Sequence, residues 1–254
     1  MSDVLATQTG SVLEIQFNRP EKKNALTRAM YAAVVDAFQQ ADRDASIRAV
    51  LLTGAGDAFC SGNDIRDFQT RAATNEETHD SPFLTALSSL TKPMVAAVNG
   101  PAIGVGTTML AHADIVVAAR SATFRMPFTS LGLVPEAASS LLFPRLVGQQ
   151  RASALLLLGD ALDAETARDW GFVNQVVANE DLMTAARGVA ARMAALPPAA
   201  MRMTKHLIKN GRDDVPGRIA EELVLFKQRL RSPEAAEAFQ AFVEKRKPDF
   251  SQFS

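Results

Sequence analysis

Two glycine-bearing loops, each placed behind a short apolar run, constrain this chain more than any other feature. The first is Cys60-Ser61-Gly62-Asn63-Asp64-Ile65, behind Ala49-Val50-Leu51-Leu52. The second is Asn99-Gly100-Pro101-Ala102-Ile103-Gly104-Val105-Gly106, behind Met94-Val95-Ala96-Ala97-Val98. Each reads as a loop that leaves a buried strand and leads into a helix. Glycine leaves the backbone N–H groups uncovered, and a helix N-terminus adds partial positive charge. Two loops of that design suit an anionic oxygen held by two N–H donors, and so point to acyl chemistry.

The pattern around the loops alternates between strand and helix. Leu13, Ile15 and Phe17 alternate with Glu14 and Gln16, as in a half-buried strand. Thr27 is placed to cap a helix to about Arg43 with the stripe Met30, Ala33, Val34, Ala37, Phe38 and Ala41. Residues 66–81 are polar and irregular, and a short helix over Phe83–Leu90 precedes the run Met94–Val98. Beyond the second loop the pattern predicts a buried helix over Val105–His112 and strands at Ile115–Ala118 and Thr123–Met126. Helices follow at Glu136–Val147, at Gln150–Leu158 closed by Gly159, and from the Asp163 cap to Gly171. Phe172–Val177 reads as a late strand. Everything beyond Glu180 reads as helix broken at Pro197-Pro198, Gly211 and Pro216, with Ser232-Pro233-Glu234 as a helix start. The class is therefore α/β with a helical C-terminal region. The last helix carries an apolar stripe, Ala235, Ala238, Phe239, Phe242 and Val243, to be buried on its own body or on a partner subunit.

Composition excludes several classes. The chain has 254 residues, 47% apolar and 22% charged, with a net charge of −1. That balance gives no support to nucleic-acid or anionic-membrane partners. No apolar run approaches the roughly 20 residues of a spanning helix. Cys60 is the single cysteine, so no internal disulfide forms and a reducing compartment is expected. Met1–Ala6 lacks the marks of a signal peptide, and the terminal Gln252-Phe253-Ser254 is not a peroxisomal address, so the expected location is cytoplasmic.

Few side chains suit chemistry. His79, His112 and His206 have no metal-ligand spacing, so no metal site is expected. There is no G-x-S-x-G elbow, no Walker loop and no third glycine of a dinucleotide fingerprint. Cys60 reads as a small hydrophobe and His112 as a hydrogen-bonded core residue. Asp64 suits a helix cap better than proton transfer. Glu136 stands apart, in a stretch almost free of other charge between Arg125 and Arg145. It suits either the capping of a helix after Pro135 or, desolvated among Leu131, Leu133, Val134 and Leu141, a general base of raised pKa.

Four segments together resemble the enoyl-CoA hydratase/isomerase, or crotonase, superfamily over nearly the whole chain. They are Asn18-Arg19-Pro20-Glu21-Lys22-Lys23-Asn24-Ala25-Leu26, Ala58–Ile65, Asn99-Gly100-Pro101-Ala102 with the preceding Ala97-Val98, and Phe242-Val243-Glu244-Lys245-Arg246-Lys247. The resemblance implies a crotonase-like spiral of ββα repeats over residues 1–195 and a helical oligomerisation region over 196–254, in a homotrimer or dimer of trimers. It shifts the C-terminal stripe toward a subunit contact. It implies an acyl-CoA thioester substrate and no separate cofactor, coenzyme A being part of the substrate. The oxyanion donors it implies are the N–H groups of Asn63 and Val105, the latter next to Gly104. Ser61, Gly62, Asn63, Asp64 and Ile65 would line the thioester and pantetheine. Lys22, Lys23 and a neighbouring subunit's Lys245 would lie near the CoA phosphates, where a solvated charge is the alternative.

A hydratase of this superfamily needs two glutamates, and on an ungapped reading from Gly104 those positions are Thr108 and Phe128. Neither holds a transferable proton near neutral pH. Glu136 instead falls where the Δ3,Δ2-enoyl-CoA isomerase branch, an activity of fatty-acid β-oxidation, carries its single base. Phe124, Pro127-Phe128, Leu131-Gly132, Ser139-Ser140 and Phe143-Pro144 resemble that branch as well. The expectation is a single-base isomerase. The alternatives are a hydratase or another crotonase-type enzyme using Asp64 or residues of 66–81, and a CoA-thioester or RNA binder without turnover.

Overall fold

The computed structural model describes residues 2–64, 81–209 and 214–250. Ile65, His79 and Gly211 lie outside them, as does nearly all of the irregular stretch 66–81. Strand β1 (Val4–Thr9) forms a hairpin with β2 (Val12–Phe17), and β2 pairs in parallel with β3 (Ala49–Gly54). β4 (Met94–Val98) and β6 (Ile115–Ala119) continue the parallel pairing to β9 (Gln175–Val177). The sheet order is β1-β2-β3-β4-β6-β9. A smaller sheet joins β5 (Ala102–Ile103), β7 (Thr123–Arg125) and β8 (Leu162–Asp163).

β3 and β4 are buried on both faces, and their side chains alternate between two cores. Val50, Leu52, Ala96 and Val98 enter the larger core with Phe17, Phe38 and Phe59. Leu51, Val95 and Ala97 enter a second one under helix α7 (Leu182–Ala195), against Leu182, Ala186 and Ala190. The continuous apolar runs follow from this double coverage. Burial on both faces fixes register, because a one-residue slip would exchange the two cores.

Helix α1 (Arg28–Arg43) starts at Thr27, whose side chain accepts from the Met30 N–H, and buries Met30, Val34, Ala37, Phe38 and Ala41. Helix α2 (Pro82–Ser89) leads into β4. After the second loop comes only a single α-helical turn, α3 (Val105–Thr108), continued by a 3-10 turn over Met109–His112. The long helix expected there is thus shortened.

A second correction concerns Glu136. Helix α4 covers Ser139–Val147, not Glu136–Val147, because Ala137 and Ala138 have left-handed φ values of 60° and 54°. Helix α5 (Gln149–Ser153) runs into a π-helical turn ended by Gly159, and α6 (Ala164–Asp169) is capped by Asp163. The late strand is short, Gln175–Val177, with Phe172 and Val173 buried ahead of it.

Three helices follow α7: α8 (Pro198–Lys209), α9 (Asp214–Leu230) and α10 (Pro233–Val243). Pro216 lies in the first turn of α9 and does not break it. Phe226 of α9 meets Phe128 edge-on, ring centres 6.5 Å apart. The stripe of α10 divides: Ala235, Ala238 and Phe239 are buried on the chain's own body, whereas Phe242 and Val243 are exposed. Among the described residues no helix is long and apolar enough to cross a membrane.

Candidate active site

The two glycine loops are joined by backbone pairing. Cys60 N–H donates to Pro101 O at 3.2 Å, and Ile103 N–H donates to Cys60 O at 2.8 Å, a parallel bridge between Cys60 and Ala102. Helix α3 presses against the same residue: a Cβ on Gly106 would lie 2.5 Å from the Cys60 carbonyl oxygen. On its other side the first loop pairs with Leu26. Leu26 N–H donates to Gly62 O at 2.8 Å, and Asp64 N–H donates to Leu26 O at 2.9 Å. In such a bridge the middle residue, Asn63, turns its own N–H away from its partner. Among the described residues no backbone acceptor meets that N–H.

Val105 supplies the corresponding group from the second loop. It is the first residue of α3, where an N–H has no intrahelical partner. Gly104 before it has φ 56° and ψ −122°, a conformation suited to glycine. Gly104 N–H is fixed to Arg125 O at 2.8 Å, and Thr107 Oγ1 donates to Ala102 O at 2.5 Å. Both ends of the Val105 N–H are therefore held by neighbours.

Side chains of the Asn18–Leu26 segment lock the first loop. Asn24 Nδ2 donates to Ala55 O and Ala58 O, and Asn99 Nδ2 reaches Gly56 O and Ala58 O. Arg19 donates to Asp64 Oδ2 at 2.8 Å, and Tyr31 Oη donates to Asn63 Oδ1 at 2.6 Å. Asp64, considered above as a helix cap, is thus an ion-pair partner of Arg19, while the helix it was to cap lies beyond the described residues. Lys22 and Lys23 are exposed in the turn that receives Ser61: Ser61 N–H donates to Lys23 O at 3.0 Å. The structure therefore brings Ser61, Gly62, Asn63, Asp64, Gly104, Val105, Lys22 and Lys23 into one hydrogen-bonded unit. Lys245 lies beyond α10, exposed, and among the described residues no hydrogen bond or ion pair joins it to this unit.

Glu136 is tied to this unit through α3. Thr108 Oγ1 donates to Glu136 Oε1 at 2.5 Å, and Thr108 is three residues along the same helical turn from Val105. Glu136 is buried, 7% exposed. Burial pushes its carboxyl up to about 7, against the Thr108 hydroxyl, which favours the ionised form, and with help from the nearby Glu222 charge. The carboxyl is thus poised to change state near neutral pH, as a general base must. Cys60 is also buried, and its thiol is pushed up to about 12, so it stays protonated and packs as a hydrophobe.

Glu136 owes its position to the turn that follows it. Two consecutive alanines in the left-handed region cost roughly 1–2 kcal/mol each. His112 and Glu222 hold this turn. His112 Nε2 lies 2.8 Å from Ala137 O, and Glu222 accepts from the Ala138 N–H at 2.6 Å and from the Ser140 N–H at 3.0 Å. Sequence reasoning took His112 correctly as a hydrogen-bonded core residue but missed Glu222, Tyr31 and Arg19. A signal for Glu222 exists: it occupies an inward position of α9 between Ile219 and Phe226, where an apolar residue is expected. His206 is exposed on α8.

The model of a family described as enoyl-CoA hydratase/isomerase matches residues 7–253. The chain is 37% identical over 262 residues to a 1,2-epoxyphenylacetyl-CoA isomerase of Escherichia coli, covering 99% of each chain. It is 38% identical over 252 residues to enoyl-CoA delta isomerase 2 of Rattus norvegicus, covering 96% of this chain and 64% of that protein. Hydratases occur among the relatives at comparable identity. A solved structure of an enoyl-CoA hydratase/isomerase from Pseudoalteromonas atlantica superposes with a TM-score of 0.92 at 44% identity, covering 98% of this chain and 100% of that one. The fold is the crotonase fold with a helical C-terminal region, and the chain belongs to the enoyl-CoA hydratase/isomerase superfamily, near its isomerases.

Proposed function

We propose that this enzyme shifts the double bond of a 3-enoyl-CoA to give the 2-trans-enoyl-CoA, with Glu136 as its only base. The observation that carries this reading is the Thr108–Glu136 hydrogen bond, which fixes the carboxyl to the helix whose first N–H belongs to Val105. The thioester oxygen sits between the N–H groups of Asn63 and Val105. Glu136 takes a proton from C2, the electron pair moves onto the thioester oxygen as a dienolate, and the same carboxyl returns the proton to C4. Thr108 engages Oε1, which leaves Oε2 for the proton transfer. An α-proton of a thioester is far less acidic than a carboxyl group, so the two N–H donors carry much of the barrier reduction. Each is worth about 3–4 kcal/mol.

Ser61–Asp64 lines the thioester in this reading, with Lys22 and Lys23 on the side of the CoA phosphates. The enzyme works in the cytoplasm as a trimer or dimer of trimers. The test is Glu136→Gln assayed on 3-hexenoyl-CoA: loss of isomerisation with CoA-product binding retained is expected. Turnover at near the parent rate would overturn the assignment.

Hydratases among the relatives favour a second reading, water addition to a 2-enoyl-CoA. Thr108 and Phe128 stand where that chemistry places its acids, and Asp64 is engaged by Arg19. Loss of crotonyl-CoA absorbance on adding the enzyme reads this activity directly. Exchange of C2 protons for deuterium separates either enzyme from an inert binder.

A further inference from the structure

The peptide unit between Ala137 and Ala138 is gripped at both ends. Its carbonyl oxygen meets His112 Nε2 at 2.8 Å, and its N–H donates to Glu222 Oε2 at 2.6 Å. A carbonyl only accepts, so His112 keeps a proton on Nε2. The second Glu222 oxygen takes the Ser140 N–H at 3.0 Å and the Ser140 hydroxyl as well. One carboxylate thus satisfies three donors around a turn that alanine does not adopt unaided.

Glu222 is 4% exposed and lies on the apolar side of α9, where burying a carboxylate is unfavourable. Its charge also opposes ionisation of Glu136. A neutral side chain would avoid both costs.

We propose that Glu222 is a positioning residue for Glu136: without touching substrate, its carboxylate holds the Ala137–Ala138 turn that aims the base and presents a second negative charge to it. This rests on the reading of Glu136 as the base. The groups facing this pair are Cys60 across the first loop, His112 beyond the gripped peptide and Arg218 one turn earlier on α9. Lys209 of α8 bonds the His112 carbonyl at 3.0 Å. Burial pushes the Glu222 carboxyl above its ordinary range, opposed by the Ser140 and Ala138 hydrogen bonds and, least, by the Arg218 charge.

The experiment follows the Glu136 carboxyl directly, by a carbon-13 titration of glutamate-labelled enzyme with the Glu136 signal assigned by its loss in Glu136→Gln. Turnover of 3-hexenoyl-CoA is measured in parallel across pH. Glu222→Gln keeps the size, removes the charge and turns an amide N–H toward a backbone donor. It is expected to lower the Glu136 midpoint measurably. It should lower kcat about 10- to 100-fold, with KM changed less than about threefold. Glu222→Asp keeps the charge but shortens the reach, so kcat falls while the Glu136 midpoint stays near the parent value. Ser140→Ala spares every backbone donor and α9 itself, and so reads the grip even where Glu222→Gln does not fold. It is expected to cost about threefold in kcat with a smaller downward movement of the midpoint.

Parental midpoint and kcat in Glu222→Gln would overturn the proposal, as would parental values in Ser140→Ala where the first variant does not fold. Retained turnover in Glu136→Gln strikes instead at the base assignment, and leaves the titration to judge the Glu222 coupling by itself.

Discussion

The two glycine loops and the Glu136 turn are built by different means. In the loops the groups proposed to act are main-chain N–H groups, and bridges between Cys60 and Ala102 and between Leu26 and Asn63 hold them. The side chain of Val105 takes no part in this pairing, that of Asn63 only accepts from Tyr31, and nothing may intrude where Gly106 meets Cys60. At Glu136 the group proposed to act is a side chain, displayed by two left-handed alanines and held by residues from other elements. The loops are held chiefly by backbone pairing, with Asn24, Asn99 and Arg19 as side-chain ties. The turn is strained, and answers to Glu222, 84 positions from Ala138.

The sharpest way to break this contrast is Glu136→Gln, expected to lower isomerisation of 3-hexenoyl-CoA by about 10³-fold or more. A Gly106→Ala variant attacks the other half. Its methyl group would lie 2.5 Å from the Cys60 carbonyl oxygen, so the loops must part. We expect a loss of about 10²- to 10³-fold in kcat with the titration of Glu136 unchanged. A parental kcat would show that the hole tolerates displacement.

The next effect is on stability and follows from linkage. Burial raises the folded-state pKa of Glu136 to about 7 from the ordinary glutamate value of 4.5, so the folded state binds more protons between those values. Its contribution therefore favours folding at low pH and is progressively lost as pH rises from about 4.5 to 7. The full loss is on the order of 3 kcal/mol. Denaturant unfolding of the parent against Glu136→Gln should show the two stability curves diverge across that interval and run parallel above it. Curves that never diverge would mean that the folded carboxyl titrates normally.

The smallest effect belongs to Thr108→Val. It removes the hydroxyl that favours the ionised carboxyl, so the pH midpoint of kcat/KM should move upward from about 7. The cost in kcat should be about tenfold, one charge-assisted hydrogen bond. Thr108→Ser should restore both. A midpoint that moves downward would contradict the geometry at Oε1.

The same contrast governs what could be read from the sequence. β4 and the caps at Thr27, Asp163 and Ser232 were legible because apolar runs and capping side chains report local physics. The two glycine loops were legible as motifs, but their pairing through Cys60 and Ala102 was not. The Glu136 turn was not, since alanine is the strongest helix former and Ala137-Ala138 reads as helix. Only contacts from distant elements overrule that preference. The buried carboxylate of Glu222 was visible as a charge on the apolar side of a helix, but its partners were not. The stripe of α10 shows a different limit. Periodicity marked one stripe, of which Ala235, Ala238 and Phe239 are buried on the chain's own body while Phe242 and Val243 are exposed.

The two N–H groups of Asn63 and Val105 have a thermal consequence. A buried donor left without an acceptor destabilises a folded protein by about 1–3 kcal/mol. Val105 is buried and its N–H opens a helix without an intrahelical partner, so in the proposed reading an enolate-like ligand relieves that burden on arrival. Occupancy should therefore raise the melting temperature by more than the ligand's contact area suggests, and most for ligands whose oxygen carries the most negative charge. The order of melting temperatures along a series of CoA analogues would then rank how well each one imitates the charged intermediate, with no turnover measured at all.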